Sequence, residues 1–143
     1  SFDFLRFSVR LLRLKNVKPL KIALYSKDTT LDLYLGREPG LSSVMPEYNV
    51  GLGSIKVRAL KLDSLVDMLG IDHVDTVKIT AEGAELEVLK GMKKSIKECK
   101  LLMVEMHGKP HARKEKSMHV KHFLQREGFV TKNLGKYITG VKQ

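Results

Sequence analysis

The chain has 143 residues, 43% of them hydrophobic and 29% charged, which is the balance of one globular domain and excludes a disordered or fibrous chain. Its apolar runs, such as residues 101–104, fall far short of the roughly 20 residues a bilayer-spanning helix needs. No basic and apolar leader opens it, so neither a membrane segment nor secretion is expected.

Cys99 is the single cysteine, which excludes an internal disulfide and favours a cytoplasmic setting. The net charge of +10 is the unusual total, and it suits a phosphate-rich partner such as RNA. The cations are spread out, however, with Arg6, Arg10, Arg13, Lys15, Lys18 and Lys21 in the first segment and Lys90, Lys93, Lys94, Lys97 and Lys100 in the middle. Only KPHARKEK, residues 109–116, is compact, and it is expected in a loop. Solvated surface lysines are favoured over a nucleic-acid footprint.

In chain order, Phe2, Leu5, Val9 and Leu12 recur at helical spacing with Arg6, Arg10 and Arg13 on another face, which predicts an amphipathic helix over residues 2–14, stopped by Pro19. Residues 20–24 read as a short buried strand. After a turn at Ser26, Lys27 and Asp28, Leu31, Leu33 and Leu35 alternate with Asp32 and Tyr34, so a second strand is expected to pair with the first as a hairpin. Residues 36–53 hold clustered Gly and Pro without a period and read as a loop insertion.

A strand over residues 55–59 precedes Asp63, the expected cap of a helix over residues 64–69 that Gly70 ends. Residues 76–79 read as a strand, followed by a helix whose start is crowded by Glu82, Glu85 and Glu87 and whose apolar side is Leu86, Leu89 and Ile96. Residues 101–106 read as the next buried strand. Ser117 is the expected cap of a helix carrying Val120, Phe123 and Leu124, and residues 129–131 and 137–141 form a closing hairpin. Alternating strands and helices predict an α/β fold with a mainly parallel sheet, helices on both faces, and ligands at the carboxyl ends of the strands.

The stretch over residues 62–107 resembles the FkbM methyltransferase signature, in which a strand ends in Lys-Ile-Asp-x-Glu-Gly-x-Glu, followed by Leu-x-Gly and later by a Glu-x-His-like triplet. The matching residues are Lys78, Ile79, Glu82, Gly83, Glu85, Leu89, Gly91, Glu105 and His107. Residues 16–35 are similar to the family's third strand and the hairpin after it. The resemblance implies a Rossmann-like domain over residues 1–143 that uses S-adenosylmethionine to methylate a small-molecule or sugar hydroxyl.

Two departures stand out. Thr80 occupies the place of the family's Asp, and a hydroxyl is neither a charged base nor a strong metal ligand at neutral pH. The family's Gly-rich loop after the first strand, and the acid that ends its second strand, have no counterpart in this sequence. Those groups hold the cofactor, so this chain alone is expected to bind it poorly. In the family sheet the first two strands lie between the third and fourth, so without them residues 20–24 and 76–79 would present unpaired apolar edges; the missing part is expected in the native protein, ahead of re-pairing or strand exchange in a homodimer.

Methyl transfer asks the protein to orient the acceptor and remove its proton. Residues at the carboxyl ends of the two central strands are placed for this, namely Thr80, Glu82, Glu85, Glu105 and His107. Glu82 and Glu85 equally suit a helix start as ordinary dipole partners. Glu105 and His107 project from one strand face and form a base pair, or a satisfied strand-end pair; no metal site is expected. Ala23, Leu24 and Tyr25 end the strand that borders the adenine in such folds, and a strand leaving the core explains them equally well. Beside the leading reading stand two others: an RNA methyltransferase gripping phosphates through residues 109–116, and a truncated, non-catalytic binding module.

Overall fold

The computed structural model describes residues 2–38 and 40–142. Its centre follows from two β-rich runs, TVKIT and LLMVE, which form β4 (Thr76–Thr80) and β5 (Leu101–Glu105) and pair in parallel, Thr80 opposite Glu105. The C-terminal run folds back through Gly135 into β6 (Val130–Leu134) and β7 (Tyr137–Val141), and β7 pairs antiparallel with β5, giving the four-stranded order β4-β5-β7-β6. Three helices cover it: α3 (Glu85–Lys90), α4 (Ser95–Glu98) and α5 (Pro110–Arg126). Leu89, Ile96, Leu102, Val104, Val120 and Leu124 are wholly buried between helices and sheet. Each large aliphatic side chain so enclosed contributes about 1.5–3 kcal/mol of transfer free energy.

A separate three-stranded sheet of order β1-β3-β2 precedes this unit, built from β1 (Ala23–Leu24), β2 (Thr29–Tyr34) and β3 (Ser54–Leu60). The expected hairpin between the first two strands does not form. β3 inserts between them, holding six residues of β2 antiparallel and only two of β1 in parallel, which leaves β1 half-buried and shorter than expected. The alternating Ile55, Val57 and Ala59 make β3 the better partner for Leu33, Leu31 and Thr29. Both sheets are therefore mixed, and the mainly parallel sheet read from the sequence gives way to parallel pairs at β1·β3 and β4·β5 and antiparallel pairs elsewhere. β1 and β4 each lie at the edge of their sheet.

Helix boundaries depart from the sequence reading in ways that have local causes. The first helix, α1 (Phe2–Leu11), ends before Arg13, which takes a left-handed φ of 51°. In α2 (Leu62–Leu69) the cap position is Lys61, and Gly70 ends the helix at φ 62° as expected. Asp63 caps a different helix: its carboxylate accepts the backbone N–H groups of Lys94 and Ser95 at 2.9 Å each, which starts α4. The single long helix expected after β4 is thus two. Gly91 stands at the break, and no larger residue fits there, because the carbonyl of Tyr25 lies where a side chain at position 91 would go.

The basic run of residues 109–116 is helical rather than a loop. Lys109 is extended at the cap and Pro110 occupies the first turn, where its fixed φ fits and no N–H is needed, so Ser117 lies inside α5 and caps nothing. No helix among the described residues is long and apolar enough to cross a membrane.

Candidate active site

β4 and β5 run in parallel, so their carboxyl ends open at the same edge, and the register that sets Thr80 opposite Glu105 puts both side chains on one face. His107 lies two residues beyond Glu105. Across from it the chain leaves β4 through a tight turn in which Glu82 holds φ 43° and Gly83 φ 98°. A left-handed conformation costs a residue with a side chain about 1–2 kcal/mol. Ser43 steadies the turn by donating its hydroxyl to the Glu82 carbonyl at 2.6 Å.

The turn brings three carboxylates around one imidazole. His107 Nδ1 meets Glu85 Oε1 at 2.6 Å, while Nε2 meets Glu82 Oε1 at 3.0 Å and Glu105 Oε1 at 3.7 Å. Glu85 is 1% exposed, and its Oε1 also accepts the Gly83 N–H at 3.0 Å, so the buried charge is hydrogen-bonded twice. Lys136 donates to Glu105 at 2.6 Å and holds its carboxyl below the ordinary range. Lys78 reaches Thr80 Oγ1 at 2.7 Å, and Thr80 in turn donates to Glu105 Oε2 at 3.4 Å. Every residue expected to be catalytic, Thr80, Glu82, Glu85, Glu105 and His107, is therefore in one cluster.

Such an arrangement can hold a histidine ring in one orientation and pass a proton through it. Nδ1 is tied to buried Glu85 and Nε2 to Glu82, so the ring has the orientation of a carboxylate-positioned general base once Glu82 moves off Nε2. Thr80, in place of a carboxylate, contributes a neutral link between Lys78 and Glu105.

The three residues expected to border a cofactor divide. Ala23 lines an apolar cavity of about 800 Å³ against β2 and β3, with Leu33, Ile55 and Val57. Leu24 instead packs on the hydrophobic core. Tyr25 is committed to packing, its N–H donating to Leu60 O at 2.8 Å and its carbonyl seated on Gly91. Burial, and then the charge of Glu87, push the Tyr25 phenol above its ordinary value. The cavity and the carboxylate cluster share no lining residue.

Sequence reasoning missed Ser43, Tyr48 and Lys136. Tyr48 packs against Gly83, where any side chain would overlap its ring, and its hydroxyl is buried with no partner among the described residues. Burial, followed by the charges of Glu85, Glu47 and Glu82, raises the Tyr48 phenol and keeps it protonated. Ser43 and Tyr48 come from an aperiodic loop that offers no pattern to read. Lys136 was legible, since a hairpin returning beside β5 must place its turn near Glu105.

The order of strands, the turn after β4 and the acidic cluster around His107 make an α/β domain consistent with a methyltransferase-like fold, and comparison with known proteins makes this specific. The chain belongs to the FkbM methyltransferase family: the Methyltransferase FkbM domain matches residues 14–131. Among curated proteins it is similar to the hexuronic acid methyltransferase AglP of Haloferax volcanii, 36% identical over 55 residues, a stretch that covers 38% of this chain and 23% of that protein. The chain thus matches less than a quarter of that relative's length. No solved structure matches it.

Proposed function

We propose that the chain forms the acceptor-side half of an S-adenosylmethionine-dependent O-methyltransferase acting on a sugar or similar hydroxyl, with His107 as general base. The observation that carries this reading is the His107 ring held between Glu85 and Glu82 at the carboxyl ends of β4 and β5. Family membership and the likeness to a hexuronic acid methyltransferase support the reaction and a carbohydrate acceptor. The parallel β4·β5 pair, crossed over through α3 and α4, supports a Rossmann-like reading of this half.

S-adenosylmethionine supplies an electrophilic methyl group on a sulfonium when bound. Ala23 fits the border of its adenine, since it opens on an apolar cavity large enough for a ring. Leu24 and Tyr25 act behind it by fixing β1 to the core. At the cluster, an acceptor hydroxyl taking the place of Glu82 on His107 Nε2 would give its proton to that nitrogen, while the bound cofactor would supply the methyl group and leave as the neutral thioether. Glu85 keeps the ring from rotating, and Glu105, held charged by Lys136, stabilises the imidazolium that results.

The test is His107→Asn in the protein joined to a cofactor-binding half that carries the glycine loop, assayed with labelled S-adenosylmethionine and a panel of hexoses and hexuronic acids. A general base contributes about 10²–10⁴-fold, so kcat falls by that factor while the melting temperature holds. Activity within a few-fold of the parent removes His107 from the chemistry and the proposal with it.

A further inference from the structure

The surface of α1 is unlike that of the other helices. Phe4, Phe7 and Leu11 follow one another at helical spacing and are each at least 60% exposed. Phe2 and Val9, on the opposite side, are half-buried, so the helix rests on the protein there and turns its aromatic face outward. Arg6 and Arg10, one turn apart, form a stripe along the flank of that face, and Arg13, Lys15, Lys18 and Lys21 extend the positive charge along the chain. No acidic residue occurs from Phe4 to Lys27, and none of these cations forms an ion pair with a described residue. Scattered exposed apolar side chains are ordinary; an aromatic and aliphatic face bordered by unpaired arginines is a contact surface.

We propose that α1 is a membrane-surface helix, lying along an anionic bilayer with Phe4, Phe7 and Leu11 among the acyl chains and Arg6, Arg10 and Arg13 on the lipid phosphates. At 10 residues it is far too short to cross, and an apolar face set beside a basic one is the pattern of a helix that lies in the interface plane instead. Arginine suits the border, since its stem runs along apolar surface while its guanidinium pairs with phosphate oxygens. A second copy of the chain is a poor cover for the same face: symmetric docking sets two arginine stripes against each other, and each chain carries a net charge of +10. The helix shares no residue with the His107 cluster, so the proposal stands apart from the methyl-transfer reading.

The sequence has no tryptophan, so Phe7→Trp puts a single indole on the proposed face. With vesicles of phosphatidylcholine and phosphatidylglycerol in equal parts, its emission is expected to shift to the blue and to be quenched by bromine on the acyl chains. With phosphatidylcholine alone both effects are small, and binding to the anionic vesicles weakens as salt is raised. Arg6→Gln, Arg10→Gln and Arg13→Gln together lower the affinity about a hundredfold, at roughly fivefold for each cation near a charged surface. Lys93→Gln, Lys97→Gln and Lys114→Gln together remove the same charge from exposed positions elsewhere and leave the affinity within about threefold of the parent's. Phe4→Ser with Leu11→Ser keeps the charge and abolishes the quenching.

An indole that anionic vesicles do not quench overturns the proposal, and so does binding that the lysine variant loses as fully as the arginine variant. Other covers for the face are read from the same reporter. Emission already blue without vesicles, in a dimer of the chain or in the protein joined to a cofactor-binding half, means that protein encloses α1. An indole that shifts with polyglutamate and not with vesicles means that an acidic polypeptide does. Each of these results overturns the assignment to lipid.

Discussion

The two sheets of this molecule have similar amounts of apolar sequence and very different fates for it. Every residue of the main core cluster lies between Ile79 and Ile138, enclosed by β4, β5 and β7 on one side and α3, α4 and α5 on the other. The N-terminal region adds Ala59, Leu60 and Leu65, while α1 buries nothing and leaves Phe4 69% and Leu11 67% exposed. The difference is one of layers: a strand or helix is stabilised when its apolar face meets a second element, and the face carrying Leu33, Ile55 and Val57 opens on a cavity instead. Stability is therefore concentrated where the candidate site is built, which holds the carboxylate cluster on the rigid side of the molecule.

The contrast is broken most directly by cavity mutations. Leu89→Ala, at a wholly buried position, is expected to cost about 2–5 kcal/mol in urea denaturation. A loss well under 1 kcal/mol would show that the C-terminal core is not the principal source of stability. Next comes Gly91→Ala, which sharpens the comparison because position 91 is one place where the two regions touch. The added methyl overlaps the Tyr25 carbonyl, and forcing the chains apart costs about 1–3 kcal/mol. Hydrogen exchange is expected to rise at Tyr25 and through β1 while β5 stays protected. Uniform loosening of both sheets would mean that they fold as one cooperative unit.

How much of this was legible in the sequence follows the same divide. The strand from Thr76, the acidic turn, and the strand ending in Glu105 and His107 are local patterns, and the chemistry they carry lies within the same short stretches, so all five candidate catalytic residues meet. The pairing of β1 with β3 was not legible. It depends on register between distant segments, and nothing local distinguishes a hairpin from a strand that waits for a third. The break between α3 and α4 was hidden because the carboxylate that starts α4 is that of Asp63, remote in sequence. At α5 the sequence carries the signal in Pro110, a better marker of a first helical turn than Ser117 is of a cap. Tyr48 was beyond reach, since its importance rests on an unpaired hydroxyl that only the fold reveals.

Two smaller effects test the cap and the exposed helix. Burial alone would raise the Asp63 carboxyl, but the Ser95 and Lys94 N–H groups and the Ser95 hydroxyl outweigh it, so its pKa falls below the ordinary 3.8. A folded-state pKa below the unfolded one stabilises the protein at every pH above the unfolded value. That contribution is lost as pH falls from about 4 through the lower folded pKa. Asp63→Ala is expected to cost about 1 kcal/mol at neutral pH, the usual worth of a cap, and to flatten the stability curve in that acid window. A variant whose acid unfolding matches the parent's would show that the cap contributes nothing.

Phe7→Ala is expected to do least. Phe7 is 60% exposed, so truncation removes little that the unfolded chain does not also expose, and the change in stability stays within about 0.5 kcal/mol. A loss of 2 kcal/mol or more would require Phe7 to be enclosed in solution. The face of α1 would then be covered by another element or another molecule, and the contrast between a closed C-terminal core and an open N-terminal layer would disappear.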